Sequence, residues 1–296
     1  MYVVLGANGR VGGETARALI ASGNAVRLVL RRPEQAEKWA GTGAEIAIGS
    51  IEDGSGLVEA LRGASGAFLL MPPPVEGDPF RRADELGSAL SEAVRRAELP
   101  RVVALSSVGA QHETGTGIIA TLNRLEKHLT GAAPSLTFLR PGYFVETWSE
   151  VVQAVLAEGV LPTFLEPSLK IPMVSTTDVG RTAAGLLGDG VTGARTVELR
   201  GPDDWSANDV AAAFGRALGR PVTASFIAPE ARTAVLARAG VPPAIAEALL
   251  GMYDGIAGGR VEHAEGAERR RGSVALDDAV SRIVQSVEAE AREPAA

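Results

Sequence analysis

The residues best placed to do chemistry are glycines. Gly6-Ala7-Asn8-Gly9-Arg10-Val11-Gly12 follows a β-rich run, Tyr2 to Leu5, and opens a helical one, Gly12 to Ser22. Gly6 permits a tight turn, Gly9 lets the backbone approach a pyrophosphate, and Gly12 lets the helix pack on the strand. A diphosphate at the positive end of that helix would meet outward-pointing N–H groups. Gly6, Asn8, Gly9, Arg10, Val11 and Gly12 are therefore the expected dinucleotide contacts. The strand, the loop, the helix and a second strand, Ala25 to Leu30, fit one βαβ unit, the context that makes a glycine pattern specific. The second strand ends Leu28-Val29-Leu30-Arg31-Arg32-Pro33, with no acid before Glu34. A carboxylate there would repel a ribose 2′-phosphate, whereas guanidinium binds it bidentately. Arg31 and Arg32 thus favour NADPH/NADP over NADH/NAD.

Ligands of open parallel sheets lie beyond the carboxyl ends of the strands. That rule draws in Ser50 and Asp53 near the adenine, Leu70, Met71 and Pro72 along the ribose and nicotinamide path, and Ser106 and Ser107 after the fifth strand. A substrate pocket over the nicotinamide would be walled by Val108, Gly109, Gln111, Tyr143, Phe144 and Trp148. Gln111 or His112 could hydrogen-bond a carbonyl oxygen, which leaves Gln111, His112 and Tyr143 as the catalytic candidates.

The inventory is short. Tyrosine occurs only at 2, 143 and 253, lysine at 38, 127 and 170, and histidine at 112, 128 and 263; cysteine is absent. There is no thiolate nucleophile, no Cys-ligated metal, and no HExxH spacing, so no metal is expected. A Tyr-x-x-x-Lys pair would place an acid and its pKa-lowering cation on one helix face. Four residues after the three tyrosines stand Gly6, Thr147 and Ala257, so no such pair exists.

These residues need a frame. Strand-like runs Glu45–Ile48, Gly66–Met71, Arg101–Ser106 and Leu136–Leu139 alternate with helical runs Pro33–Ala40, Gly54–Leu61, Arg81–Arg96 and Thr121–Leu129. This alternation predicts an α/β, doubly wound parallel sheet of the Rossmann type. Residues 1–145 form the expected nucleotide-binding core. Residues 146–289 form a smaller α/β lobe packed on it and not independent, and residues 290–296 a frayed tail. Within the lobe, Leu161–Pro172 reads as irregular, Thr196–Leu199 and Val222–Ile227 as strands, and Thr177–Leu187 and Ser206–Leu218 as helices. Ser206 with Asp209 reads as an N-terminal cap. Arg140 reads as an internal salt-bridge partner, and Arg269-Arg270-Arg271 as a solvated charge run.

The GxxGxxG spacing without a Tyr-x-x-x-Lys pair resembles the NmrA-like, atypical branch of the short-chain dehydrogenase/reductases. Further matching pieces are Arg31-Arg32-Pro33, Ser106-Ser107-Val108-Gly109-Ala110, the helix holding Glu126, Leu139-Arg140-Pro141-Gly142-Tyr143-Phe144, Ile171-Pro172-Met173-Val174 with Asp178-Val179-Gly180, and Gly201-Pro202. The resemblance covers about residues 1 to 230 and implies one of two roles. One is NAD(P)H-dependent hydride transfer to a quinone or similar electron-poor molecule. The other is a non-catalytic NADP sensor acting on a protein partner. An isomerase or lyase holding the nucleotide structurally is a third expectation.

A formal charge of −7 argues against a nucleic-acid groove. No signal peptide or membrane-length apolar stretch is seen, so a cytoplasmic monomer or homodimer acting on a small molecule is expected.

Overall fold

Parallel strands need crossovers, and the alternating pattern of the first 140 residues supplies them. The computed structural model describes residues 1–292, with side chains to residue 289. In chain order the elements begin β1 (Tyr2–Leu5), α1 (Arg10–Ala21), β2 (Val26–Leu30), β3 (Glu45–Ile48), α2 (Gly54–Leu61), β4 (Gly66–Leu69), α3 (Pro79–Arg96), β5 (Arg101–Leu105), α4 (Ala120–Leu129) and β6 (Ser135–Pro141). They continue with β7 (Tyr143–Phe144), α5 (Val152–Glu158), β8 (Val160–Thr163), β9 (Ile171–Val174), α6 (Thr176–Gly188), β10 (Gly193–Arg200), β11 (Asp204–Trp205) and α7 (Ala207–Leu218). The last are β12 (Thr223–Phe226), α8 (Pro229–Arg238), α9 (Pro243–Ala257), β13 (Glu268–Arg271) and α10 (Leu276–Arg292). The expected helix after β2 is a 3-10 segment, Pro33–Trp39, and another 3-10 segment, Val145–Val151, precedes α5.

The main sheet has eight strands in the order β13-β10-β6-β5-β4-β1-β2-β3, all paired in parallel. It is a doubly wound Rossmann sheet, and its strand order reverses between β1 and β4. The loops after these two strands therefore flank the crevice where such folds hold ligands. One apolar cluster (Leu57, Leu90, Leu99, Leu125) covers one face, and a second (Leu19, Leu28, Phe68, Val179) covers the other.

The boundary expected at residue 145 does not hold for the sheet. β10 and β13 extend it beyond β6, and α6 covers it beside α1. The physical reason is the edge of β6: its free N–H and C=O row takes β10 in a seven-residue register, Gly193↔Ser135 to Leu199↔Pro141. The solvated charge run Arg269–Arg271 lies in the outermost strand, β13, where exposed charge suits an edge. The stretch expected to be irregular, Leu161–Pro172, contributes to β8 and β9, which pair with β12, β7 and β11 in two small sheets. The lobe has its own core, with Trp148, Val210, Phe214, Val280 and Ile283. Ser206 and Asp209 form the expected capping box on α7. The expected frayed tail falls mainly outside the described residues; the backbone of 290–292 continues α10. Among the described residues no helix is long and apolar enough to cross a membrane.

Helices α1 and α6 meet almost backbone to backbone. A Cβ on Gly180 would lie 2.4 Å from Glu14 Cβ and 2.6 Å from the Thr15 nitrogen. Helix propensity alone favours alanine there by up to ~1 kcal/mol. Overpacking opposes it by ~1–3 kcal/mol or more, and the neighbouring atoms are backbone, which cannot swing aside. Gly180→Ala is therefore expected to lower stability by about 2 kcal/mol net, read as a lower urea midpoint at unchanged slope.

Candidate functional site

The site starts at the first turn of the chain. Gly6 has φ +67°, and a Cβ there would lie 2.8 Å from Leu70 Cδ2 across the crevice. Gly9 is the N-cap of α1, with its N–H donating to Gly6 O at 2.8 Å. A Cβ on Gly12 would lie 2.2 Å from Gly6 O, so only glycine lets α1 begin this close to β1. No side chain caps α1, and its first turn holds no acid. That leaves the positive helix end open to an anion. Gly9 and Arg10 are exposed, while the Val11 side chain is core and only its backbone faces the turn.

Asn8 is used differently from the expectation. Its Oδ1 accepts from Trp39 Nε1 at 2.8 Å, and its Nδ2 donates to Gln35 O at 3.3 Å. The side chain thus ties the glycine loop to the 3-10 segment after β2. Gln35 Oε1 in turn accepts the N–H groups of Arg31 (3.1 Å) and Arg32 (3.2 Å). The backbone of both arginines is pinned while their side chains stay exposed. Neither guanidinium enters an ion pair among the described residues. Glu52, on the same rim, is partly opposed in its ionisation by burial. Hydrogen bonds from its own backbone and from Ser50, with the charges of Arg82 and Arg31, nevertheless hold it below the usual carboxylate range.

At the other strand ends, Ser50 Oγ accepts from Asp53 N at 3.2 Å and Asp53 caps α2, so both serve the turn. Leu70, Met71 and Pro72 are half-buried along the crevice. Ser107 is half-buried, with its hydroxyl turned to Val108 O at 2.9 Å.

Ser106 and Gln111 are corrected by the structure. Ser106 is 3% exposed and donates to Glu126 Oε1 at 2.5 Å. Glu126 also receives Arg140 Nε at 2.8 Å and its NH2 group at 2.6 Å, the expected internal salt bridge. Gln111 accepts from Arg140 at 3.4 Å and donates to Glu262 O at 2.9 Å. A buried ion pair must have its remaining donors and acceptors satisfied, and these two side chains do that. Neither is free for a ligand. Glu198, beside Arg140 in the sheet register, bonds separately to His263 Nδ1 (2.5 Å) and accepts from Ala264 N (2.9 Å).

Three further wall candidates lie inside. Val108 is 1% exposed, and Trp148 belongs to the lobe core. A Cβ on Gly109 (φ +90°) would lie 3.3 Å from Val261. Apolar burial takes these residues out of the wall. Phe144 is half-buried against the sheet's second core cluster. His112 is half-buried, and its Nε2 has no partner among the described residues.

Tyr143, the third catalytic candidate, is half-buried just past the carboxyl end of β6. Its hydroxyl lies 3.2 Å from that of Tyr253, 110 residues away on α9. Trp148 stands 6.0 Å from the Tyr143 ring, and Phe164 packs edge-on at 5.1 Å from the Tyr253 ring. Burial pushes the Tyr143 phenol well above the ordinary tyrosine range, with Tyr253 and Glu150 adding to the rise and Arg10 opposing it. Burial also raises Tyr253, although its hydrogen bond with Tyr143 counteracts part of that rise. Arg10 reaches from the glycine loop to Ser149 Oγ (3.0 Å) and Glu150 (3.5 Å), clasping the lobe to the nucleotide end. Sequence reasoning missed Tyr253, Phe164 and this clasp. The scarcity of tyrosine was the one available signal, and nothing local pairs residues so far apart.

The sequence model of the NmrA-like family matches residues 2–282, and the chain belongs to that family. The match runs well past residue 230, where the resemblance read from the motifs ended. The chain is 32% identical over 253 residues to (4-alkanoyl-5-oxo-2,5-dihydrofuran-3-yl)methyl phosphate reductase of Streptomyces griseus, covering 84% of this chain and 85% of that protein. NADPH-dependent quinone oxidoreductase of Escherichia coli, solved with NADPH, superposes with a TM-score of 0.80 at 22% identity, over 96% of this chain and 100% of that one. Triphenylmethane reductase of Citrobacter sp., solved with NADP(H), gives 0.77 at 21% identity, over 95% and 99%.

The Glu126–Arg140 pair predicts its own cost of removal. Glu126→Gln keeps the shape but leaves Arg140 buried without its counter-ion. It is expected to lower unfolding free energy by about 3–5 kcal/mol, measured by urea denaturation.

Proposed function

We propose that this protein is an NADPH-dependent reductase acting on an electron-poor conjugated carbonyl compound such as a quinone. The observation that carries the nucleotide reading is the open N-terminus of α1 with two unpaired, backbone-pinned arginines at the neighbouring strand end. Backbone N–H groups of the glycine loop and the first turn of α1 would hold the diphosphate. Arg31 and Arg32 would hold the 2′-phosphate, where a fork of N–H donors matches a dianion.

A bound reduced nicotinamide supplies a hydride, the part of the chemistry that amino acids cannot provide. The chain's own work is then placement, water exclusion and proton supply. Leu70, Met71 and Phe144 would give the nicotinamide apolar contacts at the strand ends. Tyr143 and Tyr253 supply the hydrogen-bonding groups beyond it. The relative that is 32% identical is named a reductase of an unsaturated lactone phosphate, and other relatives are an NAD(P)H azoreductase from Xenophilus azovorans and a quinone oxidoreductase from Escherichia coli. These names support reduction of a conjugated acceptor over a purely sensing role.

The test is NADPH consumption by purified protein with a panel of quinones, conjugated lactones and azo compounds. Turnover with at least one acceptor supports the reading. Tight NADPH binding with no turnover on any would replace it with nucleotide sensing. The cofactor preference has its own check. Arg31→Ala together with Arg32→Ala is expected to weaken NADPH binding ~10–100-fold, ~1.4–2.8 kcal/mol, while NADH binding changes by less than about two-fold. Equal loss for both, measured by titration calorimetry, would sink the assignment.

A further inference from the structure

Tyr143 and Tyr253 come from distant parts of the chain and meet at the core of the lobe. Tyr143 lies two residues past the carboxyl end of β6, and Tyr253 reaches in from α9. Their hydroxyls meet at 3.2 Å, and neither makes another hydrogen bond to a described residue. Two phenols carry two O–H protons, and their mutual bond uses one. One O–H is left with nothing to accept it. Both residues are half-buried against the core of the lobe. The indole N–H of Trp148, from a side chain 7% exposed, is likewise buried without a partner beside Tyr143. Buried donors are seldom left unmatched, and the spare O–H of this pair points to an acceptor atom supplied from outside the chain.

Resting on the reductase reading above, we propose that the Tyr143–Tyr253 hydroxyl pair is the proton donor of the reduction, hydrogen-bonding the acceptor's oxygen and protonating it. The acceptor's carbon gains a hydride from the dinucleotide, the reductant, so a C–H bond forms and an electron pair of the conjugated C=O system moves onto oxygen. One phenolic O–H of the pair breaks, and a new O–H forms on that oxygen. The other hydroxyl donates to the phenolate left behind, and solvent returns the proton. The acceptor thereby gains two electrons and two hydrogens, and the protein is unchanged. The charged groups facing the pair are Glu150, which opposes ionisation, and Arg10 from the glycine loop, which favours it in Tyr143. This pair takes the chemical place of the absent tyrosine–lysine dyad with residues from different elements.

The test uses Tyr143→Phe, Tyr253→Phe and the double variant, each checked for fold by circular dichroism. Two acceptors are compared: an electron-poor quinone, whose reduced oxygen is a weak base, and a conjugated lactone, whose reduced oxygen is a strong one. Each single variant is expected to cut kcat for the lactone about 100-fold, with little further loss in the double variant, as residues acting as one unit behave. The quinone rate should fall less than about three-fold, and NADPH affinity should hold.

A second readout needs no cofactor. With Tyr2→Phe, the pair are the only tyrosines left, and tyrosinate absorbance reports them alone. They should ionise in two coupled steps above the free-tyrosine range of about 10, and Tyr253→Phe should collapse these to one. Unchanged lactone rates in the Phe variants, parallel loss of both acceptors with NADPH affinity, or two tyrosines titrating as free phenols would each overturn the proposal. Wild-type protein that oxidises NADPH with neither acceptor would instead overturn the reductase reading, and the proposal with it; the absorbance titration separates the two failures.

Discussion

The structure depends on how closely the start of α1 is pressed against the end of β1. At Gly12 the space that a single methyl group would need is already taken by Gly6 O, 2.2 Å from where that carbon would sit. This contact sets the helix axis on the strand end, so the open N–H groups of the first turn point over the crevice between β1 and β4. Gly6 adds the left-handed turn that brings Leu70 over the loop. Everything proposed for the nucleotide follows from that geometry. The N-terminal charge of a helix falls off within one turn, so a shift of a few ångströms would lose the effect.

A second constraint joins the halves of the chain. Glu126 and Arg140 are buried under the sheet's carboxyl end, and their leftover valences run through Gln111 to Glu262 O. Glu198 repeats the arrangement with His263 and Ala264 N. Asp178, at the start of α6, accepts from Ser273 N (2.9 Å) and Val274 N (2.8 Å) just past β13. In each case a side chain of the core, from the sheet, a covering helix or the loop after β5, holds the segment between α9 and α10. Breaking the ties of Glu198 or Asp178 strands a buried carboxylate, so they resist opening far more than exposed ion pairs do. The lobe therefore presents α9, and Tyr253 on it, in a fixed place relative to β6.

How much of this could be read beforehand follows from what each feature rests on. The first six strands and their helices were legible because glycine and proline punctuate them and their apolar pattern is local. The glycine loop was legible for the same reason, and so was the cap at Ser206. β13 was not, because a parallel edge strand is held by backbone hydrogen bonds and needs no apolar side chains; Glu268 to Arg271 reads as solvent and is in fact both strand and solvent-facing. Ser106 and Gln111 were correctly placed near the strand ends but wrongly assigned to ligand. A sequence gives a residue's position along the chain and not the partner that satisfies it. Tyr143 could be read as a candidate, but nothing in the sequence pairs it with Tyr253, 110 residues away.

The two tyrosines also show what kind of acid this crevice can hold. A lysine beside a tyrosine stabilises phenolate and makes the phenol a ready acid near neutral pH. Burial does the reverse here, holding both phenols neutral. Because the folded state keeps these protons longer than the unfolded chain, their contribution to stability is constant below the ordinary tyrosine pKa of about 10 and is lost as pH rises beyond it. A donor so reluctant to ionise gives up its proton only to a strongly basic oxygen, such as the enolate left when hydride adds to a conjugated carbonyl. The proposed reduction therefore requires that hydride arrive first and create that base, which a conjugated lactone would do and a quinone would not.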